Sequence, residues 1–326
     1  MSKKRKKKKY RIKSSVKRFF IYFTFFIIMT IYTIKESYLI YLDFEYKKTN
    51  EYKLIQIGYS KDEVNSILNT FEEERINFIL NNEYNEMYYK FLKEKYYLHK
   101  NLDKYLEYKK HHEKTTYQDV IAIVNVHANE GWYNKSYPAN TSLNYLILVN
   151  KFYYLENNFI RDDIKNISLQ YSYANNKAAL IVIEEFERMR EDVLKELDVN
   201  LMLNSSFRPY KDQEEIYNEY KKISQKYADS YAARPGYSEH QTGLAIDITS
   251  LEHPYVNEFK QSEEYEWLKN NCYKYGFILR YPENKEHITG YNTESWHFRY
   301  VGNEVAKVIH NEKITFDEYY AYYIEK

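Results

Sequence analysis

The chain has 326 residues, which at roughly 150 residues per domain predicts two domains, or one large domain with attachments. Hydrophobic residues make up 44% and charged residues 29%, a composition that supplies a packed core and excludes a disordered chain. A single cysteine, Cys272, excludes an intramolecular disulfide framework and a cysteine-rich zinc module.

Positive charge is concentrated at the start of the chain. Residues 1–18 hold eleven of the 48 basic residues and no acidic residue, which leaves 37 basic against 47 acidic residues, a net charge of −10, in the remainder. A nucleic-acid-binding protein would be expected to carry its positive charge on the folded part. We therefore expect no nucleic-acid partner and interpret residues 1–18 as a basic tail.

An apolar segment follows this tail directly. Residues 19–34 read FFIYFTFFIIMTIYTI and carry no charge, slightly fewer than the ~20 residues needed to span a bilayer, but the flanking basic side chains can reach the headgroups. An A-x-A cleavage site is absent, because the first alanine is Ala122, and this disfavours a cleaved signal peptide. We predict a signal anchor at residues 19–36, with residues 1–18 in the cytoplasm and the rest outside the cell.

Residues 37–140 are predicted to be mostly helical. Ser60 and Glu63 have the spacing of a capping box ahead of an amphipathic segment, and similar patterns occupy residues 76–80 and 88–108. We interpret residues 37–140 as a helical spacer or accessory region. A small module that binds cell-wall polymer is the alternative.

Residues 141–326 mix helices with short strands. The run 143–155 is apolar and rich in β-forming residues, and the helix predicted over 267–275 ends at Gly276. The remaining elements are predicted helices over 178–197 and 212–227 and predicted strands over 199–203, 244–248, 277–280 and 295–301. This mixture predicts an α+β domain with a mostly antiparallel sheet flanked by helices.

A set of metal-binding residue types lies in this second half. His240 and Asp247 are separated by a turn-forming Gly243, so a loop ligand and a strand ligand can converge, and His297 would supply a third contact. Two histidines and an aspartate suffice for a catalytic zinc with an open position. Glu294 precedes His297 by three residues, and a bend between them would bring its carboxylate close enough to act as a general base.

Three motifs carry a family resemblance. S-x-x-R at residues 205–208, S-x-H-x-x-G-x-A-x-D at residues 238–247 and E-x-W-H at residues 294–297 together resemble the VanY-type D-alanyl-D-alanine carboxypeptidases. These belong to a zinc peptidase group that includes VanX-type dipeptidases and L,D-carboxypeptidases. The resemblance covers roughly residues 165–312. Phe207 occupies the family's aromatic position and Pro209 replaces the commoner serine, and neither alters a reacting group.

The resemblance implies a role for each motif residue. It implies zinc ligands at His240, Asp247 and His297, a general base at Glu294, and an arginine, Arg208, that polarises the scissile carbonyl. Further residues are implied to bind substrate: Ser205, Gln213, Ser238 and Trp296. Arg299, just beyond the last motif, is interpreted as a structural ion-pair residue, and a fifth functional residue is the alternative.

The implied function is that of a membrane-anchored zinc carboxypeptidase that removes C-terminal D-alanine from peptidoglycan stem peptides outside the cell. An L,D-carboxypeptidase acting on tetrapeptide stems is the alternative, because the same metal site can hydrolyse either bond. A catalytically silent wall-binding protein is a second alternative, which the intact Glu294 disfavours. A lysostaphin-like endopeptidase is not favoured, because the chain has no H-x-H motif.

Overall fold

The computed structural model describes residues 11 and 13–325, which form two compact units, one ending at residue 93 and the other beginning at residue 94. Residues 1–10 and 12 of the predicted basic tail lie outside the described residues. The first unit is helical, with α1 (Ser14–Lys48), α2 (Asn50–Ile57), α3 (Lys61–Thr70), α4 (Glu73–Leu80) and α5 (Glu86–Leu92).

Helix α1 contains the predicted apolar segment. Its 35 residues would extend about 52 Å at 1.5 Å per residue, and none of them is buried. The helix is long and apolar enough to cross a membrane, a test that a signal sequence near an N-terminus also passes. The N-terminal apolar helix expected from the sequence is therefore present.

The predicted capping box starts α3. The Ser60 hydroxyl accepts from the Glu63 backbone N–H at 3.3 Å, and a Glu63 carboxylate oxygen accepts from the Ser60 N–H at 2.8 Å. These contacts satisfy N–H groups that a helix start otherwise leaves unpaired, and they orient Val64 and Ile67 into the interior of this unit.

The second unit contains the remaining elements. Its helices are α6 (Leu102–His111), α7 (Tyr117–Asn125), α8 (Leu180–Leu197), α9 (Tyr210–Lys221), α10 (Gln225–Tyr231), α11 (Val256–Phe259), α12 (Glu263–Asn271), α13 (Glu286–Thr289), α14 (Asn303–Glu312) and α15 (Phe316–Tyr319). Its strands are β1 (Tyr137–Pro138), β2 (Tyr153–Tyr154), β3 (Ile164–Asn166), β4 (Lys177–Ala179), β5 (Leu201–Ser205), β6 (Ala245–Ser250), β7 (Phe277–Leu279) and β8 (His297–Tyr300).

The central sheet has the strand order β5-β6-β8-β7, and every neighbouring pair in it is antiparallel. Strands β3 and β4 form a second antiparallel pair, while the short β1 and β2 pair in parallel. The α+β class with a mostly antiparallel sheet is thus confirmed.

Helix α8 covers one face of the central sheet. Its Val182 and Phe186 join a buried cluster with Ile246 and Phe298 from the two central strands. Because side chains alternate along a strand, the neighbours of these strand residues point to the opposite face. That opposite face carries the candidate site. Cys272 also lies in the cluster, and burial raises the pKa of its thiol to about 12.

A second buried cluster includes helices on both sides of the predicted domain boundary. Ala122 and Ile123 of α7 join Ile309 of α14 and Phe316 of α15 in it. Helices α6 and α7 therefore fold with the sheet, and the region 37–140 that the sequence suggests as one segment is divided between the two units.

Two segments differ from the sequence-based expectation. The apolar run 143–155 is mostly irregular, because the Asn150 side-chain oxygen accepts from the backbone N–H groups of Phe152 and Tyr153 and turns the chain. The helix predicted over 212–227 is two helices, α9 and α10, since the Ser224 hydroxyl accepts from the Tyr227 N–H and begins a new one.

Candidate metal centre and active-site cleft

Strand register brings two of the predicted ligands together. Asp247 on β6 is paired with His297 on β8, and Ser205 on β5 is paired with Asp247 from the other side. Asp247 and His297 alternate with core residues, so both project from the face opposite α8. The sheet thus places side chains from positions fifty residues apart in the sequence side by side.

His240 reaches the same place from a tight turn. It lies in the short 3₁₀ segment Glu239–Thr242, which ends at Gly243 in a left-handed conformation (φ 67°) just before β6. Its Nδ1 lies 2.7 Å from the Ser206 carbonyl oxygen. Since a carbonyl only accepts, Nδ1 carries the proton and the Nε2 lone pair is free to bind an ion.

Ligand atoms of His240, Asp247 and His297 all lie within 4.8 Å of one another. His240 Nε2 is 3.4 Å from Asp247 Oδ2, and His297 Nδ1 is 3.2 Å from Asp247 Oδ1. Ligands about 2.1 Å from a tetrahedral zinc lie about 3.4 Å apart, so these spacings fit that geometry. Asp247 Oδ1 is buried without a hydrogen-bond partner among the described residues, as expected of an oxygen that binds a cation.

The second nitrogen of His297 is fixed by an acid that the motifs do not assign. His297 Nε2 lies 3.4 Å from a carboxylate oxygen of Glu239. In the neutral ring, donation to this carboxylate keeps the remaining proton on Nε2 and leaves the Nδ1 lone pair directed at Asp247. Burial opposes the charge on His297, but its contacts with Asp247 and Glu239 outweigh burial and raise the pKa of the imidazole to about 9.

Glu239 is part of a buried charge cluster. Its Oε1 accepts from Arg280 Nε at 2.8 Å and from Arg299 Nη1 at 2.9 Å. Arg280 Nη1 in turn donates to Asp317 Oδ2 at 2.6 Å. Burial opposes ionisation of Glu239, yet the two guanidinium groups hold its pKa below the usual range. Arg299 therefore forms the structural ion pair predicted for it. Glu239 stands between two motif residues, which is the one sequence signal that could have indicated its role.

Glu294 lies beside the ligand group. The backbone N–H of His297 donates to the Glu294 carbonyl at 3.3 Å, which is the bend inferred from the sequence. A Glu294 carboxylate oxygen is 3.6 Å from His297 Nδ1. Burial raises the pKa of Glu294 to about 7; the charge of His297 opposes this shift and that of Asp247 adds to it. Such a carboxyl group can both accept and release a proton near neutral pH.

Arg208 is held in place from two sides. Its Nη1 donates to Gln213 Oε1 and its Nη2 to Ser205 Oγ, both at 2.8 Å, and its backbone N–H donates to the His240 carbonyl at 3.1 Å. Arg208 lines the cleft, whereas Ser205 does not. Ser205 thus contacts the arginine rather than the space that a substrate would fill.

The three ligand residues, Glu294 and Arg208 line one cleft of about 430 Å³. Of the residues implied to bind substrate, three line it: Gln213, Ser238 and Trp296. Tyrosines that the motifs did not indicate also line it: Tyr220, Tyr231, Tyr281 and Tyr291. No spacing distinguishes them among the 40 tyrosines of the chain, so only the fold could identify them.

Comparisons with known proteins agree with this geometry. Residues 175–303 match the VanY family model, described as D-alanyl-D-alanine carboxypeptidase. The putative carboxypeptidase YodJ of Bacillus subtilis (strain 168) is 39% identical over 183 residues, covering 54% of this chain and 67% of that protein. The D-alanyl-D-alanine carboxypeptidase of Enterococcus faecium is 31% identical over 189 residues, covering 56% of this chain and 59% of that protein.

A solved structure is similar over the same region. The LdcB LD-carboxypeptidase, whose structure was reported to reveal the molecular basis of peptidoglycan recognition, superposes with a TM-score of 0.54 at 36% identity, covering 57% of this chain and 90% of that one.

An α+β fold whose cleft brings together a His-Asp-His group, a partly buried glutamate and an anchored arginine agrees with the carboxypeptidases to which the chain is similar. The chain belongs to the VanY family, as the three motifs indicated.

Proposed function

We propose that the protein is a membrane-anchored, zinc-dependent D-alanyl-D-alanine carboxypeptidase that removes C-terminal D-alanine from peptidoglycan stem peptides. The observation that carries the proposal is the convergence of His240, Asp247 and His297 in one cleft with Glu294 and Arg208. The VanY match and the named relatives support the carboxypeptidase part.

The three ligand residues would hold the zinc, which when bound lowers the pKa of a coordinated water from about 15.7 to about 7 and polarises a carbonyl. The Glu294 carboxylate would accept a proton from the attacking water and deliver it to the nitrogen of the departing D-alanine. The Arg208 guanidinium would stabilise the negative charge that develops on the scissile carbonyl oxygen. Gln213 and Ser205 would keep that guanidinium in its orientation through their 2.8 Å hydrogen bonds.

Substrate binding would involve the polar and aromatic lining of the cleft. Ser238 and Trp296 line it near the ligand residues. Gln213 donates from its amide to the Ala233 carbonyl at 2.8 Å and so joins residues 232–238, called here the 233 loop, to Arg208. A peptide in the cleft would therefore meet an Arg208 whose orientation is already set by hydrogen bonds, which reduces the entropy lost on binding.

Localisation completes the proposal. Helix α1 would be the anchor, with the basic residues 1–18 in the cytoplasm and the catalytic unit outside the cell, where stem peptides are found. Residues after α1 that belong to the first unit would act as the spacer.

The second candidate is L,D-carboxypeptidase activity on tetrapeptide stems, which the similarity to LdcB favours. The test is to incubate the detergent-solubilised full chain with pentapeptide and tetrapeptide stems, with and without a chelator, and to measure free D-alanine. Release from the pentapeptide that stops with chelator and returns with zinc is the expected result. Release from the tetrapeptide alone would replace D,D by L,D specificity, and release from neither would contradict the enzymatic proposal.

A further inference from the structure

A buried lysine lies behind one wall of the cleft. Lys151 is 4% exposed, and its Nζ donates to the Asp229 carbonyl oxygen at 2.9 Å. The Asp229 carboxylate is paired with Arg234 at 2.8 Å, and among the described residues no carboxylate forms an ion pair with Lys151. Lysine is almost never fully buried unless it is paired, so this ammonium is an unusual group for the interior of a protein.

Two tyrosine rings surround the rest of the ammonium. Its Nζ lies 4.4 Å from the centroid of the Tyr291 ring and 5.6 Å from that of Tyr133. Aromatic rings stabilise a cation without neutralising it. Burial lowers the pKa of Lys151 to about 8, against the attraction of Asp229 and Glu294. The side chain therefore carries its charge at pH 7.

Tyr291, which contacts this ammonium, belongs to the closed end of the cleft. Tyr281 and Tyr291 line the cleft and are 5% and 6% exposed, whereas Ile216 and Tyr231 line it and are 37% and 59% exposed. The Tyr281 ring lies 4.8 Å from that of Tyr291 and 5.0 Å from that of His297, measured between centroids. The cleft is thus closed beside the ligand group and open along α9 and α10.

The closed end is where the last residue of a carboxypeptidase substrate belongs. With the scissile bond at the ligand residues, the longer part of the peptide must leave through the open end. The single residue after that bond, with its free carboxylate, then lies at the closed end near Tyr291. The closed end therefore has a negative charge to receive.

The lining of the cleft offers little positive charge for that carboxylate. In the described part of the chain, Arg208 is the one lysine or arginine that lines the cleft, and in the proposed reaction it stabilises the scissile carbonyl oxygen. The lining also contains three acidic residues, which would repel the carboxylate when ionised: Glu239, Asp247 and Glu294. A positive charge behind the lining would favour the carboxylate, and Lys151 lies there against the Tyr291 ring.

We infer that Lys151 is a specificity-determining residue, whose ammonium supplies, across the Tyr291 ring, the positive charge that favours a substrate with a free terminal carboxylate. Opposite charges that are not in contact still attract where little water separates them. Lys151 precedes residues 175–303, which match the VanY family model, so no motif indicated it. The inference rests on the proposed function, because it takes the scissile bond to lie at the ligand residues.

The test compares two ligands on the zinc-loaded, detergent-solubilised full chain at pH 7. Both are pentapeptide stems whose scissile amide is replaced by a non-hydrolysable ketomethylene group; one ends in a free carboxylate and the other in a carboxamide. Calorimetry gives the ratio of their dissociation constants. We expect the acid to bind at least about tenfold more tightly than the amide, because attraction between charges across one ring is only partly screened. A ratio near one would overturn the inference.

Two substitutions of Lys151 separate its charge from its hydrogen bond. Lys151→Gln keeps an N–H donor for the Asp229 carbonyl but removes the charge, and Lys151→Met removes both. In each variant the acid should lose about tenfold in affinity while the amide keeps its own. Lys195→Met, at a lysine that is 69% exposed and does not line the cleft, is the control and should keep the ratio.

The variants can contradict the inference in two ways. An unchanged ratio in Lys151→Gln would overturn it, because the charge would then be dispensable. Equal losses of affinity for acid and amide would also overturn it, since they would indicate a lysine that only maintains the fold. Circular dichroism establishes that each variant is folded. The wild-type ratio needs no variant and decides the matter if a variant does not fold.

The binding ratio and the reaction are measured separately. Failure of D-alanine release from both pentapeptide and tetrapeptide stems contradicts the proposed function, whatever the ratio. Normal release together with an unchanged ratio in Lys151→Gln contradicts the role of Lys151 alone. If release occurs from the tetrapeptide alone, the same pair of ligands is built on the tetrapeptide.

Discussion

Glu294 combines partial burial with nearness to the ligand group. It lies 3.6 Å from His297 Nδ1, and its pKa of about 7 suits a group that accepts and returns a proton at neutral pH. Glu294 is the carboxylate lining the cleft that is free to take up a proton. Asp247 belongs to the ligand group, and Glu239 accepts hydrogen bonds from two arginines.

Glu294→Gln should therefore remove turnover but retain the metal. The amide cannot accept the proton, so D-alanine release should fall about 10²–10⁴-fold, the range typical of a lost acid–base group. Metal content by atomic absorption should stay the same. Glu283→Gln, at a surface carboxylate that is 57% exposed, is the matched control and should keep full activity. Normal release in the Glu294 variant would place the base elsewhere.

His297 makes metal affinity dependent on pH. In the metal-free protein its pKa is raised to about 9, so below that pH a proton must leave before Nδ1 can bind an ion. Apparent zinc affinity, measured by competition with a chelating dye, should rise with pH and approach a plateau near pH 9. The expected slope is about tenfold per pH unit for one released proton. Affinity independent of pH between 6 and 9 would argue against His297 as a ligand.

At the scale of elements, the 233 loop depends on a glycine conformation. Gly236 has φ 86°, its carbonyl accepts from the Leu155 N–H at 2.8 Å, and an added Cβ would lie 2.9 Å from the Leu155 carbonyl oxygen. The Asp229–Arg234 ion pair at 2.8 Å closes the same loop. The loop thus holds Ala232, Ala233 and Ser238 against the cleft by backbone contacts.

Gly236→Ala should destabilise the protein and lower activity. The positive φ costs about 1–3 kcal/mol for a non-glycine residue, and the contact with a backbone oxygen adds to it. Gly302→Ala is a matched control, because Gly302 has φ 83° but an added Cβ there would meet nothing within 4 Å. Urea unfolding should show a larger loss for Gly236→Ala than for Gly302→Ala. Equal losses would show that backbone conformation alone explains both.

The buried arginine Arg280 connects the 3₁₀ segment Glu239–Thr242, which carries the ligand His240, to α15. It is fully buried between Glu239 and Asp317, so Arg280→Met leaves a buried carboxylate without its partner and should cost about 3–5 kcal/mol in the free energy of unfolding. Arg188→Met is the control. The Arg188 side chain is 61% exposed, so its ion pair with Glu185 should contribute less than about 1 kcal/mol. Similar losses in the two variants would contradict this role for Arg280.

Local patterns predicted the elements whose causes are local. The capping box at Ser60, the amphipathic α8 and the left-handed cap at Gly276 depend on residues within one or two turns, and the structure has all three. The turn at Asn150 and the new helix start at Ser224 were missed, because a single side chain there overrides a longer apolar pattern.

The candidate site was predictable to the extent that motifs carry it. His240, Asp247 and His297 were indicated by motif spacing and are brought together. The link from Glu239 to Arg280 joins residues 41 positions apart and has no local signature, and Ser205 contacts Arg208 instead of lining the cleft. Such contacts follow from strand register, which sequence spacing alone does not give.

At the scale of the whole molecule, charge and hydropathy divide the chain. Eleven basic residues precede the apolar part of α1, and the chain after residue 18 carries a net charge of −10. A polybasic segment beside an apolar helix is attracted to anionic lipid, while the acidic remainder of the chain is not.

Deletion of residues 19–34 should release the protein from membranes. The full chain should sediment with the membrane fraction and resist extraction at high salt, because burial of an apolar helix does not depend on ionic strength. The deleted form should appear in the soluble fraction and still release D-alanine. Replacement of residues 19–34 by the same number of leucines is the control and should stay in the membrane. Membrane retention of the deleted form would mean that another segment anchors the chain.

The lone thiol, Cys272, is 3% exposed, and its raised pKa keeps it protonated at physiological pH. A protonated, enclosed thiol reacts slowly with maleimides. One engineered surface cysteine would consequently be the single labelling position of the folded chain. A fluorophore placed there, paired with an acceptor dye in the lipid, would report by energy transfer whether the proposed anchor holds the catalytic unit near a bilayer, and at what distance.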